Sequence, residues 1–170
     1  MTDLPISFTE AYARKLHAGE MTQARRPRGL LDQLKPGDRL WVREPFHLPA
    51  RFDHVAPTQA LIAPGIEIAW TATDAPQPPW AGRQRFAREM PKALHRAHLI
   101  VRSLRQERLQ DLSDDDAVAC GFINRMIFQR HWDHMLKGGK FSVSGTAIRW
   151  QDNPAVNVIV FDVVPGTLPA

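Results

Sequence analysis

Between residues 45 and 91 the chain places eight of its 14 prolines, at 45, 49, 57, 64, 76, 78, 79 and 91. Each proline fixes φ and removes a backbone N–H, so neither a helix interior nor a central strand runs on through it. Long regular elements must therefore come from the two flanks. The middle is expected to be two long loops around a single strand, Ile66-Glu67-Ile68-Ala69-Trp70. Loops of that length in a compact domain tend to be functional or mobile.

The flanks carry ordinary folding signals. Ile6-Ser7-Phe8 reads as a short first strand. Thr9 and Glu10 then open a helix over about residues 10–18, with Tyr12 and Leu16 on one face and Gly19 as its stop. Leu30 to Leu34 is a short turn or helix, and Pro36-Gly37-Asp38 is a turn. Arg39 to Glu44 alternates as a strand, with Leu40 and Val42 sharing a face.

Beyond the proline-rich segment, His98 to Gln110 is extended. Its apolar parity changes between Val101 and Leu104, which a bulge near Arg102-Ser103 would absorb. Ser113 caps a helix whose first turn holds Asp114, Asp115 and Asp116. Phe122 to Leu136 is the strongest amphipathic pattern, built on Phe122, Ile123, Met126, Ile127, Trp132, Met135 and Leu136, and Gly138-Gly139 closes it. Val156 to Val164 is apolar on both faces, as in a buried strand. Strand, helix, three strands, helices and a final strand make an α+β chain whose natural compact form is a small β-barrel with flanking helices.

A chain of 170 residues suffices for one domain with a full core. One cysteine, Cys120, excludes an internal disulfide framework. No apolar run reaches membrane-span length and the N-terminus has no signal-peptide core, so a soluble, cytoplasmic protein without a membrane partner is expected. The net charge of +4 is compatible with a polyanionic partner.

Three blocks, in order, resemble one family. Gly19-Glu20-Met21-Thr22-Gln23-Ala24-Arg25-Arg26 is similar to a Gly-x-Lys-x-x-Thr-x-Arg motif. Pro36-Gly37-Asp38-Arg39-Leu40-Trp41-Val42-Arg43-Glu44 is similar to a "PGD-hydrophobic-WVRE" strand, and Glu107 to Ala117 to an "ERLQDIS-acidic-A" junction. Met90-Pro91, Trp132-Asp133 and Asn153-Pro154 add support. The chain thereby resembles the ASCH domain family, in its phage and prophage form. The resemblance implies one PUA-like β-barrel domain over residues 1–170, with the proline-rich stretch at about 45–91 as a loop insertion. It also implies RNA or a nucleotide as partner, with a second protein as the alternative, and a cleft beside the Gly-x-Lys segment.

Family members that hydrolyse acetylated cytidine resemble a lysine, threonine and glutamate constellation, with threonine as nucleophile. In this chain those positions are Met21, Ala24 and Cys120, and only Arg26 is retained. Thr22 keeps a hydroxyl two residues early, and Ala155 and Asn157 stand where phage-type members often carry tryptophans. The expectation is a binding protein with no catalytic residues of that type. A hydrolase with a site rebuilt around Thr22, Glu44 or the histidines is the alternative enzyme reading.

Arg25, Arg26 and Arg28 are the candidate phosphate contacts, since guanidinium forks match phosphate oxygens. Trp41 either stacks on a base or belongs to the core, and Glu44 either orients a ligand or pairs with an arginine such as Arg26. Arg83, Arg85, Arg88, Lys92 and Arg96 read as a solvated basic face. Trp70 and Trp80 are either a stacking platform or loop anchors. His95-x-x-His98 and His131-x-x-His134 have a spacing that can pair imidazoles, but no third ligand follows from it, so no metal site and no cofactor are expected. Cys120 is expected to be a small buried hydrophobe.

Overall fold

A computed structural model describes residues 2–135 and 148–167, Met135 by its backbone alone. Among the described residues the protein is α+β, with four α-helices and eight strands. In chain order these are β1 Asp3–Ser7, α1 Glu10–His17, β2 Gln23–Pro27, β3 Arg39–Arg43, β4 Phe46–Pro49, α2 Pro57–Ala60, β5 Ala69–Trp70, β6 Ala81–Arg85, β7 Ala97–Arg108, α3 Asp114–Ala119, α4 Arg125–Met135 and β8 Ala155–Pro165. One sheet has the order β1-β3-β7-β8-β2 and the other β5-β4-β6, and no closed barrel is found among the described residues. No helix among them is long and apolar enough to cross a membrane.

The chain divides into two compact units. The first comprises Met1–Thr2, Gly19–Arg39 and Ile100–Asp162, and the second Asp3–Ala18, Leu40–Leu99 and Val163–Ala170.

In the first unit, β2 pairs antiparallel with β8, from Gln23 opposite Val160 to Pro27 opposite Val156. The basic stretch after α1 therefore contains a strand. Pairing overrides its weak strand propensity, and Pro27 is tolerated because β2 lies at a sheet edge. On β8, four consecutive residues, Val156 to Ile159, are fully buried, as its two-sided apolar pattern requires. Ser113 caps α3 as expected: its Oγ accepts the Asp116 N–H at 3.0 Å.

Helix α4 starts later than its apolar pattern indicates. Asn124 Oδ1 accepts the Ile127 N–H at 3.0 Å, so a side-chain cap sets the start at Arg125. Ile123 and Met126 are consequently 79% and 62% exposed instead of lying on the buried stripe. Phe128 and Trp132, one turn apart and stacked at 5.8 Å, face the core with Leu109, Leu112, Cys120, Trp150, Val156 and Val158. Leu136 and the expected Gly138-Gly139 stop lie outside the described residues.

The second unit overturns the expectation for the proline-rich segment. In place of two loops around one strand, it holds the three-stranded sheet β5-β4-β6. Phe46 lies opposite both Trp70 and Arg85, and the register shifts between His47 and Pro49. The prolines bound the elements rather than forbid them. Pro45 precedes β4, Pro49 ends it, and Pro57 takes the first position of α2, where its missing N–H costs nothing. The expected strand over 66–70 shrinks to Ala69–Trp70, while Ile66 and Ile68 pack on a core of Phe46, Leu48, Ala60 and Met90. Helix α1 matches its expected span and buries Ala13 and Leu16. On β3, Leu40, Trp41 and Val42 are all buried, so both strand faces are covered and the alternation is not the half-exposed kind.

Gly82 on β6 is where this small sheet is least tolerant. A Cβ there would lie 2.2 Å from Asp53 Oδ1 and 2.7 Å from the Ala50 Cα, and that Asp53 oxygen already accepts the Arg83 N–H at 2.9 Å. Gly82→Ala is expected to cost about 1–3 kcal/mol, as overpacking does. A urea midpoint equal to that of the wild type would contradict the contact.

Candidate functional site

In the first unit the family-like segment becomes strand β2, and its side chains enter a polar cluster with α3 and β7. Gln23 Nε2 donates to Asp116 Oδ1 and Arg25 Nη2 to Asp116 Oδ2, both at 3.0 Å. Arg25 Nη1 lies 3.0 Å from Glu107 Oε2, close enough for an ion pair but without the alignment of a hydrogen bond. Arg105 reaches the same two carboxylates. Burial pushes the Asp116 carboxyl up, and Gln23, Arg25 and Ser113 together outweigh it, holding the group below the usual carboxylate range. The Arg25 side chain is 0% exposed. It is neutralised by two carboxylates and has no face on which to take a phosphate.

Arg28 is exposed and forks onto Asp32 Oδ2, with Nε at 3.1 Å and Nη2 at 2.9 Å. Asp32 also accepts the Gly29 N–H and the Asn157 amide. Arg26 is half-buried opposite Asn157, and its Nη1 donates to the Arg25 carbonyl at 3.0 Å. Burial lowers the His131 pKa, and the charges of His134 and Arg26 push it further the same way. Of the three candidate arginines, then, Arg25 is sealed, Arg28 is paired at the surface, and Arg26 keeps partial access to solvent.

The positions that resemble the hydrolase constellation are all interior: Met21, Ala24 and Cys120 are 3%, 2% and 2% exposed. Cys120 Sγ lies 3.5 Å from Gln23 Oε1. Burial, only partly countered by the charges of Arg25 and Arg26, pushes its thiol up to about 12. Near neutral pH the group is a thiol, not a nucleophilic thiolate. Thr22 next to them is exposed.

In the second unit the "WVRE" strand presents Trp41, Arg43 and Glu44. Trp41 is 6% exposed, tilted against the His95 ring at 6.1 Å and covered by the Arg43 guanidinium at 4.5 Å from the indole centroid. Its face is occupied, so base stacking on it is not available in this conformation. Glu44 is 1% exposed and does pair with an arginine, Arg96. The Arg96 Nε and Nη2 donate to its two oxygens at 2.8 Å each, and His17 Nε2 donates to Oε1 at 2.9 Å. Arg96 also donates to the Ala72 carbonyl and lies over the Trp70 ring at 4.7 Å. Burial pushes the Glu44 carboxyl up, but the hydrogen bonds and charges of Arg96 and His17 win and bring it below its ordinary value.

The residues that sequence reasoning missed are Arg43, His17 and the role of Arg96. Glu44 carried the only signal: an acid beside Val42 and Phe46 must be paired if buried. Its partners are 27 and 52 residues away, beyond any local spacing rule. His95 and His98 are buried, their rings 6.5 Å apart, and no group of three or more His, Cys, Asp or Glu that could hold a metal ion is found among the described residues.

No protein-family model, curated protein or solved structure matches the chain.

Proposed function

We propose that this chain is an ASCH-like protein that binds RNA or a nucleotide and has given up the amidohydrolase chemistry of the family it resembles. The observation that carries the reading is the fate of three positions. Where a base, a nucleophile and a proton-transferring carboxylate would stand, there are a thioether, a methyl group and a protonated thiol, each at most 3% exposed. None of these can take or give a proton near neutral pH. Cationic groups persist beside them: Arg26 on this strand and Arg28 just beyond its end are the phosphate contacts proposed here. A PUA-like frame belongs to the same proposal: the two longest strands, β7 and β8, are neighbours in the five-stranded sheet.

The test is a pair of assays on the intact protein. Incubation with N4-acetylcytidine is expected to give no turnover above a blank, while a labelled RNA oligomer binds and Arg26→Glu weakens that binding at least tenfold. Turnover would replace this reading with a rebuilt hydrolase. Equal RNA binding by the wild type and the Arg26→Glu variant would remove Arg26 from the site.

A further inference from the structure

Buried and half-buried guanidinium groups in this protein are supplied with oxygens. Arg14 donates to Asp74, Glu10 and the Thr71 carbonyl, and Arg25 to Asp116. Arg85, almost fully buried, donates to the Phe52 carbonyl, and Arg96 to Glu44 and the Ala72 carbonyl. Arg43 differs. It is half-buried on β3, and among the described residues its guanidinium makes no hydrogen bond and no ion pair, while its backbone carbonyl accepts the Phe8 N–H at 2.9 Å. The guanidinium lies over the Trp41 indole, 4.5 Å from its centroid.

We propose that Arg43 is the phosphate seat of this protein, its guanidinium held over the Trp41 ring and its Nη edge turned to a phosphate monoester. Three observations meet here. Nε is withdrawn from solvent without an acceptor, whereas Nη1 and Nη2 are not among the atoms buried without a partner. The solvent-reached edge is thus the two-nitrogen fork that matches a pair of phosphate oxygens. The guanidinium carbon sits over the indole, 4.5 Å from its centroid, and this contact restrains the fork before a ligand arrives. The charge is also uncompensated. Burial lowers the Arg43 pKa and no carboxylate raises it back, because the adjacent Glu44 is committed to Arg96 and His17. A half-desolvated cation lacking an anion is relieved by gaining one. That the phosphate belongs to a nucleotide rests on the function proposed above; the seat itself does not.

Calorimetric titration with inorganic phosphate and with cytidine monophosphate, at ionic strength matched with NaCl, tests the assignment. Both ligands are expected to bind the wild type and Arg88→Gln, an equal charge change at an exposed arginine stacked on Phe86. Arg43→Gln is expected to weaken both at least tenfold. Cytidine monophosphate bound equally by Arg43→Gln and wild type overturns the seat and leaves nucleotide binding standing. Phosphate bound through Arg43, with neither nucleotide nor RNA bound, keeps the seat and removes the nucleotide. A wild type that binds neither ligand overturns the seat. If Arg43→Gln does not fold, Arg43→Lys assigns the Arg43 Nε–H resonance by its disappearance. That signal should then shift as phosphate is added to the wild type, and a signal that stays in place overturns the proposal.

Discussion

Asp116→Ala is expected to destabilise the protein by about 3 kcal/mol, the cost of removing one partner from a buried charge pair. The loss comes less from the missing attraction than from what stays behind. Arg25 has no exposed side-chain surface through which water could replace the carboxylate, and only the poorly aligned Glu107 would still face it. Gln23 would lose its acceptor as well. The value sits at the low end of the range for buried pairs because Asp116 is 23% exposed. The cap of α3 survives, since Ser113 Oγ accepts the backbone N–H of residue 116 whatever its side chain. Urea denaturation should show a lowered midpoint with little change in helix content. An unchanged midpoint would mean that Arg25 has a solvent-accessible alternative and is open to ligands after all.

Glu44→Gln is expected to cost about 3 kcal/mol at neutral pH, with a dependence on pH that identifies the group. The substitution keeps the shape but leaves Arg96 and His17 facing a neutral amide. The folded-state pKa of Glu44 lies below its unfolded value, which is near 4.5. Its contribution to stability is therefore fully present above the unfolded value and is lost as the pH falls through the folded one. The wild type should be the more stable protein by a constant margin above about pH 5.5, and the margin should shrink steadily in more acidic solution. Melting curves of both proteins across that range measure this. A margin that does not shrink on acidification would mean that Glu44 is not ionised in the folded protein.

How much of this was legible in the sequence depends on the distance over which each signal acts. Caps are local, so the start of α3 at Ser113 follows from neighbouring residues alone; α1 matches its expected span although Thr9 makes no side-chain cap bond. Strand β8 was visible because it is long and apolar, and β7 because it is a long extended segment with apolar residues in its first half. Strand β2 was not: Gln-Ala-Arg-Arg-Pro has no strand signature, and its pairing with β8 is decided across more than a hundred residues. The sheet in the proline-rich segment was missed because each of its strands is no longer than five residues and is bounded, not crossed, by proline. The candidate site shows the same division. Residue types marked out Met21, Ala24, Cys120 and the arginines. Which arginines are spent on carboxylates was set by Glu107 and Asp116 for Arg25, and by Glu44 for Arg96. Arg43 drew no notice in the sequence because what distinguishes it is a missing partner, and a missing partner is visible only in three dimensions.

The central claim, that the protein binds a nucleic acid or nucleotide through its phosphates, is tested most directly by the salt dependence of binding to a labelled RNA oligomer. Neutralising phosphates releases counterions, so the logarithm of the affinity should fall linearly with the logarithm of salt concentration. The slope should be about −0.7 for each phosphate contacted on a single strand. Each of the proposed contacts, Arg26, Arg28 and Arg43, that takes a phosphate adds one such increment, so the slope predicted is about −0.7 or steeper. No binding at low salt, or an affinity that salt leaves unchanged, would contradict the account.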